Sequence, residues 1–261
     1  MMDIAGLFRL DGRVALVTGG SRGIGRMIAE GFVASGATVY ITSRKAGACD
    51  ETAEALGPNC HALPGDVSTV DGCQALAREL SQREQRLDIL VNNAGAAWNA
   101  PLDVFPEQGW DKVMDLNVKT PFFLTQSCHL LLKAAAAQRL AKVINITSVD
   151  GLRVNPWGTY SYQASKAALI FLTRRLAAEY IGDGIVVTSL APGAFPSDMN
   201  TGARDDAAGM AKHIPSNRIG TPEDIAAAAV YLASAAGDYV VGSTLVVDGG
   251  IVNAVYAGAA D

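Results

Sequence analysis

The stretch Arg13-Val14-Ala15-Leu16-Val17-Thr18-Gly19-Gly20-Ser21-Arg22-Gly23-Ile24-Gly25 decides the fold. Its opening residues are nearly all apolar, they end in glycines, and a helical pattern follows through Ser35. A short apolar run without polar alternation reads as a parallel strand buried on both faces. Glycines placed directly after it let the chain turn sharply and let its backbone approach a ligand. The helix that follows presents free N–H groups and a partial positive charge at its N-terminus. Strand, glycine turn and helix in this order form a cradle for a pyrophosphate. The spacing Gly19-x3-Gly23-x-Gly25 departs from the commoner GxGxxG, so its place between strand and helix carries more weight than its form.

Outward from this unit the same alternation repeats. Strand-like runs are Arg13–Val17, Thr38–Thr42, His61–Leu63, Leu87–Val91, Val143–Thr147, Val186–Leu190 and Thr244–Val247. Helical stretches fall at Gly23–Ser35, Asp50–Leu56, Val70–Gln85, Trp110–Gln138, Ser161–Ile181 and Pro222–Ala235. This order predicts an α/β fold: a doubly wound parallel seven-stranded sheet with helices on both faces, Rossmann-like, its crossovers right-handed. No repeat, low-complexity tract or linker divides residues 1–261, so a single nucleotide-binding and catalytic domain is expected. The least regular stretch, 194–217, reads as a flexible substrate lid.

Composition narrows the function classes. With 49% hydrophobic and 18% charged residues the chain can build a large core. A net charge of −5 argues against nucleic acid as a main partner. Cys49, Cys60, Cys73 and Cys128 form no CxxC pair and only 3 histidines are present, so no metal site is expected and the thiols read as free in a reducing compartment. The opening MMDIAGLFRLDGRVALV lacks the basic start and long apolar run of a secretion signal. No run reaches the roughly 18 apolar residues of a membrane span, so a cytoplasmic protein without membrane attachment is expected.

The end of the second strand identifies the nucleotide. An NAD site holds the ribose 2′-hydroxyl with an acid there, whereas this chain reads Thr42-Ser43-Arg44-Lys45. Arg44, with Arg22 from the glycine loop, can bracket a 2′-phosphate by charge-assisted hydrogen bonds, which predicts NADPH in preference to NADH. Asp66-Val67 follows the third strand, where a carboxylate can accept from an adenine amino group. Asn92-Asn93-Ala94-Gly95 ends the fourth, where small residues let backbone pass beside a ribose.

The fifth strand ends at Ser148, and the next helix carries Tyr162-Gln163-Ala164-Ser165-Lys166. Positions i and i+4 share a helical face, so the Tyr162 phenol and the Lys166 ammonium can enter one cleft. A carbonyl accepting hydride develops negative charge on oxygen and needs a proton. An ammonium beside a phenol lowers its pKa, which makes Tyr162 a usable acid, and Ser148 can donate to the same oxygen. Tyr160 offers no such pair, since Ala164 stands four residues on.

TGGSRGIG, NNAG, Ser148 and YQASK, in this order, resemble the short-chain dehydrogenase/reductase family over most of the chain, from about Gly12 to Gly250. The resemblance implies that Tyr162 is the general acid/base, that Ser148 polarises the substrate and that Lys166 also holds the nicotinamide ribose. It further implies that Asn117, in Asp115-Leu116-Asn117-Val118, holds a water in a proton relay. The cofactor site it implies comprises Gly19, Ser21, Arg22, Gly23, Ile24, Gly25, Arg44, Asp66, Val67, Asn93, Ala94, Gly95, Tyr162, Lys166, Pro192 and Gly193. Ser197 stands where the family has a threonine for the nicotinamide amide and keeps the hydroxyl.

Within the family, GRVALVTGGSRGIG, LDILVNNAG, KVINI, SYQASKAAL and APGAFPSDM are most similar to bacterial 3-oxoacyl reductases of the rhamnolipid-pathway type. That implies reduction of a 3-oxoacyl thioester; a sugar, cyclic or steroid-like alcohol or ketone is the alternative. The pocket such a fold provides would take Trp98, Asp150, Leu152, Trp157, Pro196 and Met199. The carrier can be coenzyme A or an acyl carrier protein. Gly182-Asp183-Gly184 places an acid where carrier-protein reductases present a base, leaving Arg139 as the candidate for docking. The helices Trp110–Gln138 and Ser161–Ile181 are apolar around most of their circumference, and related proteins pair them across a two-fold axis, so a homotetramer or homodimer is expected.

Overall fold

The computed structural model describes residues 2–254. Seven strands form one parallel sheet: β1 (Val14–Thr18), β2 (Thr38–Thr42), β3 (Cys60–Ala62), β4 (Ile89–Asn92), β5 (Ala141–Ile146), β6 (Ile185–Pro192) and β7 (Thr244–Val247). The spatial order is β3-β2-β1-β4-β5-β6-β7. Every residue of β1, β4, β5 and β6 is buried, as their unalternated apolar runs predict.

The helices are α1 (Gly23–Ala34), α2 (Ala46–Leu56), α3 (Val70–Arg83), α4 (Glu107–Met114), α5 (Thr120–Ser127), α6 (His129–Ala136), α7 (Tyr160–Tyr180), α8 (Thr201–Asp205), α9 (Ala207–Ala211) and α10 (Pro222–Ala233). Ile28 and Phe32 of α1, Ala53 of α2 and Ile225 of α10 cover one sheet face. Leu76 and Leu80 of α3, Leu124 of α5, Leu132 of α6 and Leu176 of α7 cover the other. The winding reverses between β1 and β4, and ligands of such sheets bind in the crevice beyond the strand ends at that point.

Two element boundaries differ in substance from expectation. The stretch expected as one helix over Trp110–Gln138 is α4, a π-turn at Asp115–Lys119, α5 and then α6. Pro121 supplies a reason: it has no N–H to give the carbonyl of Asn117 four residues earlier, so the regular ladder cannot run through. The helix expected at Asp50 begins at Ala46. Residues 194–217 form turns and the short helices α8 and α9.

A polar chain through the apolar core fixes α7 against the sheet. Asn92 Nδ2 donates to Asn145 Oδ1 at 2.8 Å and to Thr125 Oγ1 at 3.2 Å, and Asn145 Nδ2 donates to Thr173 Oγ1 at 2.9 Å. This ties β4, β5, α5 and α7 together. Partnered polar groups in a buried position specify one packing, because any shifted arrangement leaves them unsatisfied.

Candidate active site

The cleft beyond the strand ends encloses a cavity of about 590 Å³. Gly19 (φ 65°) and Gly23 (φ 53°) adopt left-handed conformations at its floor. A Cβ on Gly25 would lie 2.4 Å from both the Gly19 carbonyl oxygen and Asn93 Nδ2. That close approach is needed because Asn93 Nδ2 donates to the Thr18 carbonyl at 2.8 Å and to the Gly19 carbonyl at 3.3 Å. Thr18 Oγ1 accepts from the Asn93 and Ala94 amides, both at 2.9 Å. Asn93 thus staples the glycine loop to the end of β4.

All the residues named from the sequence for catalysis or cofactor line this cavity except Gly25 and Asn117, which stand behind its wall. Asp66 turns its chain by accepting from the Ser68 amide at 3.0 Å, and Ser197 Oγ accepts from the Asn200 amide at 3.1 Å. Arg44 is exposed and makes no ion pair or hydrogen bond among the described residues, so its guanidinium is available to a ligand. Arg22 is already engaged: its Nη1 donates to Asp198 Oδ2 at 2.5 Å. The expected bracket of two free arginines is therefore one free cation and one paired cation. Thr42 Oγ1 is buried without a partner on the same wall, beside Ser43 and Gly65. An orphaned hydroxyl and an unpaired arginine beside a glycine cradle fit a nucleotide sugar and its phosphate.

At the other end of the cleft stand Ser148, Tyr162 and Lys166. Ser148 ends the segment after β5, where its Oγ accepts from the Asp150 amide at 3.1 Å. Gly151 permits this turn to lie on α7: a Cβ there would be 2.7 Å from the Lys166 carbonyl carbon. Lys166 is buried, its Nζ donates to the Ile146 carbonyl at 2.8 Å, and it sits 5.6 Å from the Tyr162 ring centre. Asn117 is 1% exposed; its Oδ1 accepts from the Ala96 amide at 2.8 Å. Its Nδ2 donates to the Ala96 carbonyl at 2.9 Å and to Ser165 Oγ at 2.9 Å. The side chain is fully used in clamping the loop after β4 to α7, and Pro121 leaves the Asn117 carbonyl without its regular helical donor.

Burial shifts the ionisation of both the Tyr162 and the Lys166 side chains. Burial pushes the Tyr162 phenol up to about 12, with the Ser148 hydrogen bond opposing and the Asp150 charge reinforcing the rise. Burial also brings Lys166 down to about 8. Both shifts share their first cause, the cost of placing charge on a group drawn away from water. The two shifts favour the protonated phenol and ease loss of the proton from the Lys166 ammonium. The sign follows: carbonyl reduction, which uses the charged ammonium and the neutral phenol, is expected to lose kcat/KM as pH rises through about 8. A profile flat well beyond that value would contradict it.

Several pocket assignments need correction. Asp150, Trp157 and Met199 line the cavity, whereas Trp98, Leu152 and Pro196 do not. Trp98 turns the other way, packed on Gly109, with Lys112 Nζ 5.5 Å from its ring centre. Arg139 cannot serve docking beside the cleft, since it sits at the opposite end of the sheet. There its Nε donates to Asp88 at 3.1 Å and its Nη2 to the Gly12 carbonyl at 2.7 Å. Asp183 is paired with Lys133 at 2.7 Å and His129 at 2.9 Å. Tyr160 lies outside the cleft in edge contact with Phe105.

Sequence reading missed the supports. Gln163 Nε2 donates to Asn155 Oδ1 at 3.0 Å, and Asn155 Oδ1 also accepts from the Trp157 amide at 2.9 Å, which holds the Trp157 loop against α7. Arg153, Met210, His213 and Ile214 also line the cavity and carried no motif signal.

A family model described as "Enoyl-(Acyl carrier protein) reductase" matches residues 19–252. The chain belongs to the short-chain dehydrogenase/reductase family and is an oxidoreductase. Its relatives include the rhamnolipids biosynthesis 3-oxoacyl-[acyl-carrier-protein] reductase of Pseudomonas aeruginosa, 47% identical, covering 93% of this chain and 97% of that protein. A galactitol 2-dehydrogenase (L-tagatose-forming) of Cereibacter sphaeroides is 38% identical over 95% of this chain and 98% of its own length. The solved Pseudomonas aeruginosa RhlG/NADP active-site complex matches with a TM-score of 0.91 and 46% identity, covering 94% of this chain and 98% of that one.

Proposed function

We propose that this enzyme uses NADPH to reduce the 3-oxo group of an acyl thioester to a 3-hydroxyacyl thioester. The observation that carries the reading is the convergence of Ser148, Tyr162 and Lys166 at one end of a cleft whose other end presents the unpaired Arg44. The 47% identical relative named for such a reduction supports the substrate class. NADPH, when bound, supplies the hydride. The cradle of Gly19, Ser21, Gly23, Ile24 and the N-terminus of α1 would take its pyrophosphate, and Arg44 together with Arg22 would take the 2′-phosphate. Asp66, Val67, Ala94 and Gly95 would border the adenosine, while Pro192, Gly193 and Ser197 would border the nicotinamide. Gly25 and Asn93 keep the cradle in shape.

Tyr162 gives its proton to the carbonyl oxygen as negative charge develops there, and Ser148 donates a second hydrogen bond to that oxygen. Lys166 orients the ribose and offsets the charge left on the phenol. Asn117 positions the relay water through its carbonyl. Val149, Trp157, Met199, Met210 and Ile214 give the acyl chain an apolar wall, and residues 194–217 act as its lid.

Asp150, Arg153 and His213 on the same cavity favour a second reading, a polyhydroxy substrate of the galactitol type. Initial rates with a medium-chain 3-oxoacyl thioester, on coenzyme A and on acyl carrier protein, against a cyclic ketone and a keto sugar distinguish the two. Thioester turnover with NADPH supports the proposal, and turnover of the keto sugar alone overturns it. We place the enzyme in the cytoplasm, in keeping with four buried free cysteines. Trp110, Phe122, Leu130 and Phe171 stay exposed on α4 to α7, a surface suited to pairing subunits. Light scattering is expected to give four times the 27.2 kDa chain mass, or twice it; a single chain mass would refute assembly.

A further inference from the structure

Asp198 carries a feature that the reaction scheme leaves unused. It sits in the lid, 176 residues along the chain from Arg22 of the glycine loop, yet its Oδ2 accepts from Arg22 Nη1. Its Oδ1 accepts from Arg204 Nη1 at 2.8 Å, and Arg204 in turn holds Asp205 at 2.7 and 3.0 Å. The lid turn rests directly on the cradle, since a Cβ on Gly23 would lie 3.3 Å from Ser197 Cβ. Arg22, Asp198 and Arg44 all line the one cavity.

We propose that Asp198 is a specificity-determining residue that competes with the cofactor's 2′-phosphate for Arg22. The inference rests on the reading that Arg22 and Arg44 together receive that phosphate. A carboxylate and a phosphate seek the same guanidinium fork, and each repels the other. With Asp198 on Arg22, an arriving phosphate meets one unneutralised cation, Arg44, and must displace the carboxylate to gain the second. Asp198 then keeps Arg204, so the lid turn retains an ion pair while its hold on the cradle is released. When the phosphate leaves, Arg22 returns to Asp198. The carboxylate therefore weakens NADPH and eases its departure, while NADH, without the phosphate, is indifferent to the exchange.

Equilibrium dissociation constants of NADPH and NADH, from cofactor fluorescence, test this in the wild type, Asp198→Asn, Arg22→Ala and the double variant. Both side chains are more than half exposed, so the folded state tolerates the changes and the effect is modest. Asp198→Asn is expected to tighten NADPH by roughly three- to fivefold, the scale of an exposed ion pair, and to leave NADH unchanged. Arg22→Ala is expected to weaken NADPH and to abolish the effect of Asp198→Asn in the double variant. If Arg22→Ala weakens NADPH while Asp198→Asn does not tighten it, or tightens NADH equally, the competition is overturned and the phosphate reading stands. Unchanged NADPH affinity in Arg22→Ala overturns that reading of Arg22 and the competition with it.

Discussion

Tyr162→Phe is expected to abolish nearly all turnover, a loss of about 10²–10⁴-fold for a missing general acid, while NADPH affinity stays within a few-fold of the wild type. The substitution removes one oxygen and keeps the ring, so the wall of α7 and the position of Lys166 are preserved. What is lost is the proton that the reduced oxygen requires. Ser148 cannot replace it, because an aliphatic hydroxyl is a far weaker acid than a phenol. Lys166 cannot reach the role either: its Nζ is held by the Ile146 carbonyl at 2.8 Å, and it stands 5.6 Å from the ring centre. Steady-state rates with saturating cofactor, paired with a fluorescence titration of NADPH, separate the two quantities. A fully active variant would defeat the mechanism.

Arg44→Ala is expected to weaken NADPH by about 1–3 kcal/mol, the cost of a lost hydrogen-bonded charge contact, and to leave NADH nearly unaffected. The size follows from the residue's freedom. Arg44 has no competing acid among the described residues, so its whole interaction with a phosphate is gained on binding. Arg22 begins from a pair with Asp198 and gains less. The ratio of the two cofactors' dissociation constants should thus collapse in Arg44→Ala more than in Arg22→Ala. Equal losses for NADH and NADPH would mean that Arg44 does not read the phosphate.

Much of this was legible in the sequence because the deciding signals are local. The glycine loop, the unalternated strands and the Tyr162/Lys166 spacing each lie within a few residues of themselves. β7 matches its expected bounds, and α1, α3, α7 and α10 fall within two residues of theirs. What escaped depends on contacts between distant segments. The π-turn at Asp115–Lys119 had a local sign in Pro121, but the surrounding residues favour helix and conceal the break. Nothing in Asn117 itself says that its amide will be spent on Ala96 and Ser165. Trp98 and Leu152 share the composition of a pocket wall, and only packing shows that they face elsewhere. For Tyr162, a cation one helical turn away is visible in the sequence, whereas the burial that raises the phenol depends on packing.

The central claim is that this cleft delivers hydride from NADPH to the 3-oxo carbon of an acyl thioester while Tyr162 protonates the oxygen. Its most direct test is one turnover of a medium-chain 3-oxoacyl thioester with NADPH deuterated at the hydride position, read by mass spectrometry. The account predicts one deuterium on the hydroxyl-bearing carbon of a 3-hydroxyacyl product, and no such product from Tyr162→Phe. Labelled product at an undiminished rate from that variant, or no reduction of the thioester by the wild type, would contradict it.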